Sequence, residues 1–124
     1  METMTSSANI EKEHFTWLKH LDFYKAQLNV MEKELAGFAK ESTSKKVGPK
    51  VEQFQNQFIR QREVIDTLRH TVKQHENEIE RMTRFALEYL RDRVTKDHMV
   101  IKAEYIRFVE LFVTLEQDFQ DFLA

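Results

Sequence analysis

Two histidines, His14 and His75, stand at positions where a helical protein normally places apolar core residues. Each belongs to a series of apolar residues whose spacing alternates between three and four, which is typical of helices that pack along a seam. Neutral imidazoles in a helical core either bind transition metals or form hydrogen bonds. These two positions are therefore the first place in the chain to look for chemistry.

Two carboxylates are candidates to join these histidines around a single metal ion. Glu11 precedes His14 by three positions, so the two side chains share one helix face. Glu116 reaches the level of His75 if the chain turns near Lys96. The paired Glu-x-x-His motifs of two-metal bundles are incomplete, because only the first of them is present.

A facing pair of histidines also has a structural interpretation, which the sequence favours over metal binding. Polar residues on a helix seam fix the register and orientation of the helices. A pH switch is the third alternative, because two close histidines resist double protonation. His20, His70 and His98 lie off the seams or at a predicted turn, so we expect them to be solvated. No cofactor is predicted.

Two long seams predict the helices that position these residues. The first seam comprises Ile10, His14, Trp17, Leu21, Tyr24, Leu28, Met31, Leu35 and Phe38. The second comprises Val51, Phe54, Phe58, Gln61, Ile65, Leu68, Val72, His75, Ile79, Met82, Ala86 and Tyr89. If the chain reverses in the loop 42–49, facing residues have numbers that add up to 89, as Phe38 and Val51 do. The same sum pairs His14 with His75.

The predicted fold is all-α: an elongated antiparallel, up-down-up three-helix bundle with coiled-coil-like heptad packing. We expect a disordered tail over residues 1–7 and a single domain over 8–124. Its helices are predicted at about 8–41, 49–94 and 97–123. The second turn is assigned to Thr95–His98, where Asp97 suits a helix N-cap. The alternative is one continuous second helix that pairs with its copy in another chain.

Three apolar residues, Phe15, Phe23 and Val30, lie off the first seam. They are predicted either to contact the third helix or to form a self-association face, because exposed apolar stripes usually mark association. The leading functional prediction is a non-enzymatic helical interaction or scaffold protein. Its partner is expected to be a second copy in a homodimer or another helical protein, and a metal-binding bundle at His14 and His75 is the alternative.

The composition weighs against several other classes of function. The 124 residues include 19 basic and 21 acidic ones, mixed along the chain with a net charge of −2, so no nucleic-acid partner is expected. No Ser/His/Asp constellation or Gly-rich phosphate loop is present, which predicts that the chain is not an enzyme. No apolar run approaches the roughly 18 residues of a membrane span, and cysteine is absent. The cytoplasm is the expected location.

Overall fold

The computed structural model describes residues 7–42 and 47–124, and this part of the chain is helical without any strand. Helix α1 spans Ser7–Glu41, α2 spans Gly48–Arg84 and α3 spans Arg91–Leu123, with a short 3-10 helix, Glu88–Leu90, before α3. The prediction of an all-α protein whose three helices pack together is confirmed. Of the predicted disordered tail, residues 1–6 lie outside the described part, and Ser7 already belongs to α1.

Ion pairs and ring contacts show the relative direction of the helices. These contacts include Asp22–Arg69 and Glu32–Arg62 between α1 and α2, Phe54–Phe119 and Glu78–Arg93 between α2 and α3, and Trp17–Tyr105 and Phe38–Phe122 between α1 and α3. Residue numbers rise along α1 and α3 while they fall along α2. In these contacts α2 therefore runs opposite to both of its neighbours.

The core consists largely of the residues of the two predicted seams, joined by a third row from α3. Leu28, Phe58 and Phe112 are fully buried at its centre. Nearer the ends of α1 and α2 that contain the histidines, Ile10 and Ile79 belong to one apolar cluster. Trp17 and Val72 belong to another, and the numbers of both pairs add up to 89. Burial of this apolar area is the main source of stability for the bundle.

The second turn lies earlier in the chain than the sequence predicted. Helix α2 ends at Arg84 rather than near residue 94, and α3 begins at Arg91 rather than near residue 97. The segment Thr95–His98, predicted as the turn, lies within the first turns of α3. Phe85 and Leu87 therefore lie in the turn, and Val94 lies at the start of α3.

The end of α2 explains why this turn was missed. The amide of Leu87 donates to the carbonyl of Met82 at 2.9 Å, and the amide of Ala86 donates to the carbonyl of Thr83 at 3.4 Å. This is the hydrogen-bond pattern of a Schellman cap, in which one residue adopts the left-handed conformation, usually glycine. Here that residue is Ala86, with φ of 52°, so the usual sequence signal for the end of a helix is absent.

Replacement of Ala86 by glycine is expected to stabilise the protein by about 1 kcal/mol, because glycine adopts a left-handed backbone without a Cβ clash. Chemical denaturation of Ala86→Gly measures this gain. Ala103→Gly, at an exposed position inside α3, is the matched control and is expected to lose about 1 kcal/mol. Equal losses in both variants would contradict the assigned backbone of the turn.

Candidate metal site formed by three buried histidines

One histidine from each helix meets its two counterparts in the interior of the bundle. His14 of α1, His75 of α2 and His98 of α3 are 0%, 5% and 1% exposed. His14 Nε2 lies 3.1 Å from His75 Nδ1, so the two residues paired by the predicted register are in contact. One ring nitrogen from each of the three histidines lies within 4.8 Å of the other two. We call these three residues the histidine cluster.

Apolar and aromatic side chains enclose the histidine cluster above and below. Ile10, Ile79 and Val94 belong to the apolar layer nearest the α2–α3 turn. On the other side, the ring of Trp17 stacks on His98 with centroids 5.0 Å apart and an interplanar angle of 14°. Polar groups in such surroundings need partners inside the protein, because water is excluded.

The outer ring nitrogens of the cluster face oxygen atoms. His75 Nε2 donates to the carbonyl of Val94 at 2.9 Å, and His98 Nε2 donates to Glu13 Oε1 at 2.7 Å. The outer nitrogen of His14, Nδ1, lies 3.6 Å from a carboxylate oxygen of Glu76, which is beyond hydrogen-bond distance. His75 and His98 are therefore each oriented by a hydrogen-bond acceptor, whereas His14 has only a nearby carboxylate.

These contacts determine the tautomers of the three rings. Because His75 Nε2 bears a proton, His75 Nδ1 is an acceptor, and His14 Nε2–H donates to it. His14 Nδ1 and His98 Nδ1 then remain as buried lone pairs, and neither has a hydrogen-bond partner among the described residues. Buried nitrogens without partners are uncommon in proteins, so the cluster is a candidate site for a ligand.

The surroundings keep His14 and His75 neutral at pH 7. Burial, together with the neighbouring His75 and His98, lowers the pKa of His14 from 6.5 to about 4, although Glu13 opposes this effect. Burial also lowers the pKa of His75, although its hydrogen bond to Val94 opposes the effect. Neutral imidazole is the form that binds a metal ion, so no net release of protons from His14 or His75 is needed when an ion enters.

Glu13 is an ionised partner of the cluster rather than a ligand candidate foreseen from the sequence. Burial raises the pKa of its carboxyl group, but hydrogen bonds from His98 and Lys102 outweigh this effect and lower the pKa overall. Lys102 Nζ lies 3.1 Å from Glu13 Oε2. Both carboxylate oxygens are therefore bound, one to the cluster and one to a lysine at the surface.

The structure separates the other predicted metal ligands from the cluster. Glu11 is exposed on α1, and Glu116 lies 18 positions beyond His98, about 27 Å along the helix axis. The predicted site composition was wrong because the early turn brings His98, not Glu116, to the level of His75. His98 was also expected to be solvated and is buried, whereas His70 is exposed as expected.

The predicted interaction residues Phe15, Phe23 and Val30 are 63%, 56% and 51% exposed. All three therefore remain largely exposed beside the packed helices, and self-association remains a proposal. Phe15 has the ammonium group of Lys19 5.2 Å from its ring centre. It lies beside the row formed by Phe23 and Val30, which are seven residues apart.

A second exposed apolar row, missed in the sequence, lies on α3. It consists of Met99, Ile106 and Val113, which are 58%, 47% and 50% exposed and recur every seven residues. Facing residues of α1 and α3 differ in number by 84, as in Tyr24–Phe108 and Phe38–Phe122. Ile106 and Val113 are therefore within one residue of the levels of Phe23 and Val30.

Both rows border the groove between α1 and α3. Phe23 lies one turn after His20, whose ring bonds the hydroxyl of Tyr105 on α3 at 2.5 Å. Ile106 lies one turn after Lys102, which pairs with Glu13 on α1. We call Phe23, Val30, Met99, Ile106 and Val113 the α1–α3 stripe. Its seven-residue spacing on both helices is the sequence signal that could have revealed it.

Comparison of the chain with protein-family models, with curated proteins and with solved structures found no match. Among residues 7–42 and 47–124, no helix is long and apolar enough to cross a membrane. The function of the chain must therefore be argued from the histidine cluster and the α1–α3 stripe.

Proposed function

We propose that this helical bundle binds one divalent transition-metal ion of the zinc class through His14, His75 and His98. The observation that supports the proposal is the orientation of the three rings. His14 Nε2 and His75 Nδ1 face each other at 3.1 Å, and a ring nitrogen of His98 lies within 4.8 Å of one nitrogen of each. The other nitrogen of His75 bonds a carbonyl, His98 Nε2 bonds a carboxylate, and His14 Nδ1 has a carboxylate 3.6 Å away. Metal-binding histidines have this arrangement in most proteins, because the outer acceptor fixes the ring and increases the basicity of the ligating nitrogen.

The distances are compatible with a bound ion after small side-chain movements. Two nitrogens bound to one tetrahedral zinc ion at ~2.1 Å lie about 3.4 Å apart. His14 Nε2 and His75 Nδ1 are already 3.1 Å apart, and the third histidine must close the remaining gap from within 4.8 Å. Binding also moves the His14 proton from Nε2 to Nδ1, where the Glu76 carboxylate is the nearby acceptor.

Metal analysis of the purified protein tests this proposal. After incubation with excess Zn²⁺ and removal of unbound ion, we expect one zinc per chain, measured by plasma mass spectrometry. His14→Ala and His98→Ala are expected to bind less than a tenth as much, whereas His70→Ala, an exposed histidine on α2, is the matched control and is expected to bind normally. Co²⁺ should compete with Zn²⁺, because imidazole nitrogens bind both of these transition metals. Mg²⁺ should not compete, because it prefers oxygen ligands.

The competing interpretation is that the cluster only fixes the register of the helices. In that case the wild-type protein would bind no more zinc than the His98→Ala variant, while circular dichroism would show equal helicity in both. That result would overturn the metal proposal and leave a hydrogen-bonded polar layer as the role of the three histidines.

We further propose self-association through the α1–α3 stripe as a second function. The supporting observation is that apolar rows on two parallel helices lie at matching levels beside one groove, where a further helix would cover both. A second copy of the chain presents the same two rows. Self-association agrees with the predicted non-enzymatic interaction role. Metal binding and self-association are both compatible with the predicted location in the cytoplasm.

Sedimentation equilibrium of the wild-type protein and of Phe23→Glu tests the second function. We expect a dimer that the substitution converts to a monomer, because a carboxylate buried in an apolar interface is costly. Ile59→Glu is the matched control, since Ile59 is 53% exposed on α2, away from the groove, and we expect it to remain dimeric. A monomeric wild-type protein at high micromolar concentration would argue against self-association.

A further inference from the structure

The histidine cluster provides three ligands for an ion that prefers four. The nearest carboxylates are engaged at the outer nitrogens: Glu13 accepts from His98 and Lys102, and Glu76 faces His14 Nδ1. Structural zinc sites usually have four protein ligands, whereas sites with three protein ligands bind a water or another small molecule at the fourth position. The fourth ligand of an ion in this bundle must therefore come from solution.

A groove between α2 and α3 lies against the cluster at His75. Its volume is about 330 Å³, and its wall includes His75 and Ile101. His75 is the histidine of the cluster with the largest exposure, although it is only 5% exposed. The groove therefore brings solvent up to one of the three histidines, and it is the side from which a small ligand would approach a bound ion.

The groove wall is acidic. Glu78, Asp97 and Glu104 contribute carboxylates to it, and only Glu78 is directly paired with an arginine, Arg93, at the rim. A negative groove attracts cations and slows or disfavours the entrance of anions, and this effect weakens with salt. The lining thus favours the arrival of a metal ion and then discriminates among the ligands that can follow it.

Resting on the metal-binding function proposed above, we infer that the bound ion retains one exchangeable coordination position, reached through the α2–α3 groove. This position takes a neutral donor, either water or a small nitrogen base, in preference to an anion. The inference goes beyond metal binding, because it specifies where the fourth ligand comes from and which chemical class it belongs to.

Titration of the cobalt-loaded protein tests this inference, since the visible absorption of tetrahedral Co²⁺ responds to each change of ligand. We expect imidazole to change the spectrum with a one-to-one saturation curve. Azide is expected to bind about tenfold more weakly than imidazole at low salt. The Asp97→Asn/Glu104→Gln variant should tighten azide binding several-fold and leave imidazole binding unchanged. Glu110→Gln, at an exposed position of α3, is the matched control and should change neither.

Two results would overturn the inference while leaving metal binding intact. If cobalt binds but neither imidazole nor azide alters its spectrum, the protein supplies all four ligands. If azide binds as tightly as imidazole in the wild-type protein, the acidic wall does not select the ligand. A protein that binds no cobalt at all would overturn the metal proposal itself, and this inference with it, so the two failures are distinguishable.

Discussion

Zinc at about a thousand times its dissociation constant is expected to raise the free energy of unfolding by about 4 kcal/mol. The reason lies in the origin of the three ligands. His14, His75 and His98 come from three different helices, so they converge only in the folded chain. An ion that binds the folded form and not the unfolded form stabilises the protein by mass action.

Thermal unfolding with and without zinc measures this effect, and we expect the midpoint to rise by roughly 10–20 °C. His98→Ala is expected to lose the zinc-dependent rise, and His70→Ala is expected to keep it. Because His98→Ala also leaves a cavity, the quantity to compare is the shift between zinc-free and zinc-loaded samples of the same variant. His98→Gln, which fills more of the space, serves as a second test. Equal midpoints with and without zinc in the wild-type protein would contradict the prediction.

The register of α1 against α2 could be predicted from the sequence because the first loop has clear signals. Gly48 and Pro49 mark the start of α2, and the two flanking seams have no break in their spacing. The index sum of 89 then follows from the loop position alone. It placed His14 opposite His75, and the structure shows the two rings in contact. Two of the three histidines of the candidate site were therefore predictable from geometry and periodicity.

The third histidine, His98, could not be predicted from the sequence, because the predicted position of the second turn was wrong. A turn at Thr95–His98 places Glu116 at the level of His75, whereas the observed turn gives facing residues whose numbers add up to 173, as His75 and His98 do. An error in the position of a turn shifts the facing residue by twice that error. The missing signal was a glycine at the left-handed position, where the chain has Ala86.

The hydrogen-bond acceptors of His75 and His98 also could not be predicted from the sequence. The carbonyl of Val94 bonds His75, and a backbone acceptor has no signature in the side-chain pattern. Glu13 was passed over because its neighbour Glu11 has the expected three-residue spacing from His14. The structure shows that Glu13 instead reaches across to α3 and bonds His98. Such contacts depend on the rotation of each helix about its axis, which periodicity defines only approximately.

In the absence of metal, the free energy of unfolding is expected to fall by about 3 kcal/mol as the pH decreases from 7 to 4. The folded state holds the pKa of His14 at about 4, against 6.5 in the unfolded chain. Between these values the unfolded state binds the additional proton, so acid favours unfolding. The stability is therefore complete above pH 6.5 and is lost as the pH falls toward 4. His75 acts in the same direction, because burial lowers its pKa too.

Urea denaturation between pH 7 and pH 5 isolates this effect, because carboxyl groups ordinarily titrate below this range and the pKa of Glu13, which bonds His98, is lowered further. His14→Gln removes the titration but retains an amide that can donate to His75 Nδ1. We expect its stability to change much less over this range than that of the wild-type protein. The exposed control His70→Gln should retain the full wild-type slope, since that histidine lies outside the cluster. A wild-type stability that is constant from pH 7 to pH 5 would show that burial does not hold His14 and His75 neutral, and would contradict the prediction.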